Sequence, residues 1–337
     1  MKKQNPIKRL FGIRGMGGAI TAFVGLIIIY IAFGIINPTV FSGQNIMNLL
    51  RSMSKYLIIG IGQSYVLITG NIDLSIGSVV GMSAMITATL MTMGVSPMAA
   101  ILISFVCCMV IGVLNGILVG KWKLPPFIAT LGTMFVARGI AYMVNGNRNT
   151  DAISSGVGKD AAETFQNVFY YGKTFGIYNT FWIAIIIFAA FFFLLSKTRT
   201  GRHIYAIGSN VDAAKLSGVS VVATTTKTYL VSAFCSFVVG LILCGQAGMG
   251  NMEAGNMYEM YAVAAGVIGG ISPLGGTGIL LGTLAGASVW QTLENGLNMI
   301  GAQVGIQRLV IGIIVVFAVL LDVVVRNGVF KKKAPSK

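Results

Sequence analysis

Long apolar runs alternate with short polar or basic stretches along the whole chain. Successive runs approach the roughly 20 residues that an α-helix needs to cross a bilayer. The pattern therefore predicts an all-α polytopic membrane protein with about ten transmembrane helices, some of them broken. The predicted crossings are 17–36, 56–70, 76–94, 97–120, 125–145, 180–196, 228–248, 260–272, 278–298 and 308–325.

Two of these crossings are short and end in glycine-containing polar sequence. The second stops at residues 69–75, which read T-G-N-I-D-L-S, and the eighth stops at 269–276, which read G-G-I-S-P-L-G-G. Short, interrupted segments in the two halves of a chain are typical of broken helices that line a translocation path. A plain helix end followed by a glycine turn is the alternative, and the sequence leaves both open.

The composition agrees with a membrane protein, since 55% of the residues are hydrophobic and only 10% are charged. A soluble domain would carry about 25% charged residues. The net charge of +15 does not indicate a nucleic-acid partner, because the basic residues lie between the apolar runs rather than among aromatic residues. The first run meets Asn37-Pro38 without a small-residue cleavage site, which favours a retained span over a signal peptide.

The basic residues also predict the orientation. With the N-terminus inside, most of the 24 Lys and Arg residues fall in cytoplasmic loops or tails, as the positive-inside rule requires. We therefore predict that both termini are cytoplasmic. The predicted divisions are a cytoplasmic N-terminal tail at 1–16, a transmembrane domain at 17–326 with a cytoplasmic loop at 197–227, and a basic cytoplasmic tail at 327–337.

The loop at 197–227 contains a helix with its own start and stop. Asn210 or Ser209 can cap the first turn, Asp212 lies where the helix dipole favours a negative charge, and Gly218 can close the helix. A capped helix of about two turns outside the membrane predicts a surface that another protein binds.

The sequence offers no machinery for an enzyme. Residues 156–159, G-V-G-K, lack the spacing and the following Ser or Thr of a phosphate-binding loop. His203 is the only histidine, so it cannot build a metal site alone. The four cysteines lie inside apolar runs without a CxxC spacing, which favours buried hydrophobic roles. We predict no catalytic residue, no metal and no cofactor.

Ion-coupled transport is also weakly supported, because it usually needs ionisable residues deep in the spans. Asp73 and Glu294 lie near predicted interfaces, where ionisation costs little, and only Arg138 is predicted within a span. A chain without an energy source of its own must borrow one through a cytoplasmic contact.

Four blocks of sequence point to one family. Residues 208–219 read G-S-N-V-D-A-A-K-L-S-G-V, and the others are 69–78, 126–133 and 258–278. In order, and over nearly the whole chain, these blocks resemble those of the permease subunits of sugar ABC importers of the ribose, xylose and galactose/methyl-galactoside type. The chain departs from the family pattern within these blocks at Asn71, Tyr261 and Pro273.

The resemblance implies the partners. Two permease chains, here expected to be a homodimer, would form the pathway in a bacterial plasma membrane. A cytoplasmic ABC ATPase would drive them and hydrolyse the ATP, and an extracytoplasmic sugar-binding protein would deliver a monosaccharide. The outer loops at 146–180 and 249–259 are candidates for contact with that binding protein.

The resemblance also implies two groups of site residues. In the first, the helix docks in a cleft of the ATPase, with Val211, Ala214 and Leu216 as the apolar contact and Arg199 and Arg202 as basic flanks. The expected ATPase-coupling residues are Asn210, Val211, Asp212, Ala213, Ala214, Lys215, Leu216, Ser217 and Gly218. The expected translocation-path residues are Asn71, Asp73, Ser75, Phe127, Thr130, Gly269, Gly270, Gly275 and Gly276.

Two further functions stay open on the sequence alone. One is a permease of the same superfamily for nucleosides, an autoinducer or amino acids. The other, less favoured, is a stand-alone secondary carrier or channel. Residues 204–208 and 258–259 slightly favour the galactoside-type permeases over the ribose type.

Overall fold

The computed structural model describes residues 16–310 and the isolated positions 312, 313, 316 and 320, and this part of the chain is almost wholly helical. The only sheet in it is a hairpin of two short antiparallel strands, β1 and β2. The helices are α1 Met16–Ile36, α2 Gly43–Ile68, α3 Ile76–Thr92, α4 Pro97–Gly120, α5 Pro126–Met143, α6 Ser154–Val157, α7 Lys159–Gln166, α8 Asn179–Lys197, α9 Arg199–Ser209, α10 Val211–Leu216, α11 Val221–Ala247, α12 Tyr258–Ile268 and α13 Leu280–Met299. A 3₁₀ turn spans Pro38–Phe41, a π turn spans Asn167–Tyr171, and the strands are Lys173–Thr174 and Ile177–Tyr178.

The prediction of an all-α polytopic membrane protein is confirmed. Among the described residues, five helices (α1, α4, α5, α8 and α11) are long and apolar enough to cross a membrane. Two further apolar helices, α3 and α12, are shorter. The length of α12, 11 residues, agrees with the expected short eighth crossing. The count of ten crossings and their sidedness stay predictions.

Most predicted boundaries agree with the helices, but α2 and α11 begin earlier than expected. Helix α2 starts at Gly43 instead of 56, and α11 starts at Val221 instead of 228. In α2 the extra turns carry Arg51 and Lys55, which the sequence suggested were loop residues. Lys55 Nζ donates to Gln246 Oε1 at 3.2 Å, and the Arg51 guanidinium lies over two tyrosine rings, those of Tyr170 and Tyr178, at 4.4 and 4.1 Å from the ring centroids. These partners let a basic helical segment pack inside the protein.

Helices α4 and α11 pack closely through glycine. A methyl group on Gly112 would lie 3.0 Å from the Tyr229 carbonyl oxygen, and one on Gly116 would lie 2.5 Å from Thr226 Cα. Small residues at four-residue spacing bring two helices together in this way. Both helices also pack against α3.

Segments from distant parts of the sequence meet at one end of the bundle. Here lie the breaks at 69–75 and 269–279, the 121–125 loop and the 197–227 loop. We call this the basic end, because Lys121, Lys123 and Lys215 line one groove there. Helix α1 begins at the same end, since Gly18 lies against Gly270. The predicted crossings place all of these segments on the same side of the membrane, and their clustering at one end agrees with that prediction.

The opposite end is closed by two loops that bond to each other. The Thr150 amide donates to the Gly250 carbonyl at 3.0 Å, and the Ile153 amide donates to the Gly248 carbonyl at 2.9 Å. The two loops predicted to be outside, 146–180 and 249–259, therefore share one surface.

The last predicted crossing and both tails lie largely outside the described residues. Residues 304–310 are helical, which agrees with the beginning of a helix near 308. The division into tails at 1–16 and 327–337 around a domain at 17–326 stays a prediction.

Candidate coupling surface and broken helices

Helix α10 is a separately capped unit, as the sequence predicts. Asn210 ends α9 and begins α10, and its Oδ1 accepts the Ala213 amide at 2.9 Å. Gly218 follows with φ +79°, a left-handed conformation that glycine adopts without strain. The chain therefore holds a six-residue helix at a fixed angle to the α9 helix.

The outer surface of α10 is apolar at its tip. Leu216 is 91% exposed and Val211 is 40% exposed. Ala214, in contrast, is only 4% exposed and is turned towards its own chain. The expectation that the Ala214 side chain forms part of an outward contact is therefore wrong for this conformation. Ala213 on the neighbouring position is exposed instead.

Charged side chains are exposed on α10 and on the helix before it. Arg199 and Arg202 on α9 are exposed. Lys215 forms an exposed ion pair with Asp212 at 3.5 Å, a kind of pair that adds little stability. The α10 helix therefore presents an exposed leucine beside an exposed ion pair, an arrangement that suits a polar-rimmed protein contact.

The break at 69–75 is held from the inside by Asp73. Its Oδ1 accepts the Ser75 amide at 2.8 Å and the Ser75 hydroxyl at 2.6 Å, and its Oδ2 accepts the Ser232 hydroxyl at 2.7 Å. Asp73 is 2% exposed, so the expectation that its ionisation costs little is wrong, although the break lies at the basic end of the bundle as expected. The α11 helix covers this end of α3 with Ser232. The carboxylate fixes the turn that starts α3.

The same network extends to two residues that sequence reasoning missed. Asn115 Nδ2 donates to the Ser75 hydroxyl at 2.9 Å, and the Thr133 hydroxyl donates to Asn115 Oδ1 at 2.6 Å. Both side chains lie inside predicted spans, and a buried polar side chain in a span needs a partner. That requirement is the signal that could have found them. The network connects α3, α4, α5 and α11.

The break at 269–279 touches the end of α2. The Gly276 amide donates to the Ile68 carbonyl at 2.8 Å. Gly275 and Gly276 have φ angles of +86° and +73°, and a methyl group on Gly275 would lie 2.8 Å from the Gly70 nitrogen. The two breaks are therefore neighbours, and their packing against protein shields backbone that could not face lipid.

The remaining path residues are spread around these breaks. Asn71 is half-buried and lies in a groove of about 510 Å³ with Lys121 and Lys215, and Gly276 lines a second groove of about 450 Å³.

Thr130 is fully buried and donates to the Pro126 carbonyl of its own helix at 2.8 Å, whereas Phe127 on the same helix is 55% exposed. Gly269 and Gly270 lie against α13 and α1. Gly70, the neighbour of Asn71 in sequence, contacts Gly275, so the two breaks that carry these residues adjoin.

Comparison with known proteins identifies the family. Residues 45–319 match the model described as a branched-chain amino acid transport system permease component. The chain belongs to this permease family. The chain is also similar to the Bacillus subtilis ribose import permease protein RbsC, at 37% identity over 300 residues, 89% of this chain and 91% of the relative. No solved structure matches.

Two further relatives carry different sugar names. The Escherichia coli D-allose transport system permease protein AlsC is 33% identical over 302 residues, 89% of this chain and 90% of its own length. The Salmonella typhimurium galactose/methyl galactoside import permease protein MglC is 36% identical over 301 residues, 85% of this chain and 88% of its own length.

Family membership establishes the class of the protein. The chain is the permease component of an ABC importer, not an enzyme, and the family has no known cofactor. It is a multi-pass protein of the bacterial inner membrane. Membership implies an ATPase and a binding protein as partners.

Proposed function

We propose that this chain carries a monosaccharide of the ribose or galactose kind through the inner membrane, driven by an ATPase that binds at α10. Support for a sugar comes from the relatives, whose names specify ribose, allose and galactose or methyl galactoside. The identities, 37% and 36% for two ribose permeases and 36% and 35% for two galactose permeases, do not favour one of these sugars. The slight preference for galactoside therefore carries no weight in the proposal.

Uptake by the whole importer tests the substrate class. The permease is reconstituted in liposomes with its ATPase and binding protein, and radiolabelled ribose, galactose and allose are each offered with ATP. We expect ATP-dependent uptake of at least one of the three. Uptake only of a nucleoside or of leucine would favour the alternative permeases, and uptake without ATP would favour a secondary carrier.

The observation that carries the coupling proposal is the exposed side chain of Leu216. An apolar side chain this accessible, on a separately capped helix with basic flanks, is suited to insertion into a partner's pocket. The proposed coupling residues remain Asn210 to Gly218, with Ala214 supporting the helix from its inner side. The ATPase would then move α10 when it closes on nucleotide.

Two substitutions on the outer side of α10 test this proposal. Ala213→Arg and Leu216→Asp place charge on the proposed contact and should abolish co-purification of the ATPase and ATP-driven uptake. Ala152→Arg is the control, since Ala152 is also exposed but lies at the opposite end. Membrane insertion should be normal in all three variants, and normal ATPase recovery in both α10 variants would refute the proposal.

We assign the translocation path to the surface between two copies of the chain, near the two breaks. Asn71, Asp73, Ser75, Phe127, Thr130, Gly269, Gly270, Gly275 and Gly276 remain the proposed path residues. In the conformation described here Asp73, Ser75 and Thr130 are buried, so their proposed role is to hold the break, and Asn71 and Phe127 are the accessible members.

Cysteine labelling tests the accessible members. In a background without the four native cysteines, Asn71→Cys and Phe127→Cys should react with a water-soluble maleimide at a rate that changes with nucleotide. Ile58→Cys, at a fully buried position in α2, is the control and should not react. Nucleotide-independent labelling at both test positions would contradict the assignment. Native mass spectrometry of the importer should show two copies of the chain.

The joined outer loops are the proposed contact for the binding protein. Glu253 is exposed there, and Tyr142 donates to its Oε1 at 2.9 Å, which holds the carboxylate in place. Replacing Glu253 with Arg should weaken capture of the binding protein and leave ATPase recovery unchanged. Equal capture of the binding protein by this variant and the native chain would contradict the assignment.

A further inference from the structure

Helix α9 makes a direct contact with the break at 269–279. The Tyr205 hydroxyl donates to the Gly278 carbonyl at 2.7 Å, across 73 positions of sequence. Burial raises the pKa of Tyr205 to about 12, so the hydroxyl keeps its proton at physiological pH and remains the donor. The bond joins the 197–227 loop to irregular backbone between two membrane helices.

A second contact lies one turn further along α9, at Gly208. A methyl group at this position would overlap the Ile68 carbonyl oxygen and lie 2.5 Å from the Gly276 nitrogen. These two atoms are themselves joined by the bond from Gly276 to Ile68. The backbones of α9, of the end of α2 and of the second break therefore meet at one point, and only a glycine fits in α9.

The contact is narrow, because a groove of about 450 Å³ lies beside it. Arg202, Tyr205, Ser209, Gly276 and Ile279 are among its lining residues. The buried side of α9, with Ile204 and Ile207, packs within its own chain. Tyr205, Gly208 and Ser209 are thus specific points of contact between α9 and the second break rather than members of a broad interface.

Backbone packed against backbone transmits displacement, because no flexible side chain lies between the parts to absorb it. Helix α10 is bonded to the end of α9 through Asn210, whose amide donates to the Ala206 carbonyl at 3.0 Å. A movement of α10 would therefore reach Gly208 within one turn. From there it would reach both breaks at once.

We propose that Tyr205 and Gly208 are positioning residues that transmit movement of the coupling helix α10 to the breaks at 269–279 and 69–75. The inference rests on the proposed binding of the ATPase at α10. It adds that this movement passes through α9 to the irregular backbone of the two breaks. It would not pass only along α8 and α11, the two long helices that flank the loop.

Coupling efficiency, measured as sugar taken up per ATP hydrolysed, tests the inference in the reconstituted importer. Tyr205→Phe removes one hydrogen bond and should lower this ratio by about two- to tenfold. Gly208→Ala must displace α9 from the junction and should lower it by about tenfold or more. Recovery of the ATPase and the rate of ATP hydrolysis should stay at the native level in both variants.

Matched controls separate transmission from general packing. Tyr30→Phe removes a bond of the same kind, from a tyrosine hydroxyl to the Val40 carbonyl at 3.3 Å, between α1 and the 3₁₀ turn. Gly25→Ala adds a methyl group to a helical glycine with nothing within 4 Å. Both controls should keep the native ratio of uptake to hydrolysis.

Three results would overturn the inference. A native ratio in both test variants would show that these contacts transmit nothing. An equal fall in Tyr30→Phe would show a general packing effect. Loss of ATPase recovery in Tyr205→Phe would make Tyr205 a docking residue instead, and this result would leave the proposed ATPase site on α10 intact.

Discussion

Helix α10 and the 69–75 break look alike in the sequence, since each is a short polar stretch with an aspartate and a serine between apolar runs. In the structure they are opposites. The side chain of Asp212 is 90% exposed, whereas Asp73 is 2% exposed and accepts three hydrogen bonds. The difference follows from what caps each helix: Asn210 caps α10, so that Asp212 pairs only with the exposed Lys215, while Asp73 itself fixes the start of α3.

This contrast teaches that the chain uses polar residues for two purposes. At α10 they lie on an exposed helix, beside the exposed side chain of Leu216. At the break they satisfy backbone and hydroxyl groups that are removed from both water and lipid. Substitutions of the same chemistry should therefore have different consequences in the two regions.

The largest difference is expected between the two aspartates. Asp73→Ala leaves the Ser75 amide and the Ser75 and Ser232 hydroxyls without their acceptor, at about 1–3 kcal/mol for each buried group. We expect little folded protein, measured by size-exclusion chromatography in detergent. Asp212→Ala is the matched variant and should elute like the native chain. Equal elution profiles for both variants would contradict the proposed difference between the roles of Asp73 and Asp212.

A smaller loss is expected further along the buried network. Thr133→Val keeps the shape but removes the donor to Asn115, at a cost of about 1–3 kcal/mol. The apparent melting temperature in detergent should fall. Thr164→Val is the control, because the Thr164 hydroxyl bonds only to the Asp160 carbonyl in an exposed helix. A fall of the same size in the control would show that loss of this buried hydrogen bond lowers the melting temperature no more than loss of an exposed one.

On the coupling side, loss of the cap should affect binding rather than folding. Asn210→Ala removes the acceptor of the Ala213 amide, worth about 0.5–2 kcal/mol to the helix, so α10 should fray. The affinity for the ATPase should fall several-fold at an unchanged melting temperature. Ser220→Ala removes the cap of α11, a 27-residue helix stabilised by packing, and should leave the affinity unchanged. Native affinity in Asn210→Ala together with reduced affinity in Ser220→Ala would contradict the assignment of α10 as the ATPase contact.

The smallest effect is expected for the exposed ion pair of α10. Lys215→Gln breaks the contact with Asp212, which is worth about 0–1 kcal/mol, so the melting temperature should not change measurably. Association with the ATPase should become less sensitive to salt, because one basic group has left the contact. An unchanged salt dependence would place Lys215 outside the interface.

Much of the fold could be predicted from the sequence because membrane spans follow from apolar length alone. The α4 boundaries, Pro97 and Gly120, agree with the predicted 97–120. The early start of α2 could not be predicted, since the polar Lys55 and Arg51 obtain partners from α11 and from the 167–178 region, which are distant in sequence.

The candidate sites divide in the same way. The cap by Asn210 and the closure at Gly218 are local and could be predicted. The burial of Asp73 and of Ala214, and the junction of Gly208 with Gly276, depend on tertiary packing that no local pattern encodes. Sidedness, the dimer and the path remain predictions.

The most direct test of the central claim is photo-crosslinking from Leu216 to the ATPase. A photoreactive phenylalanine analogue at position 216 should form an adduct with the ATPase in the assembled importer. The same analogue at Met98, which is 67% exposed at the opposite end, should form none. Absence of an ATPase adduct from position 216, in an importer that still takes up sugar with ATP, would contradict the account.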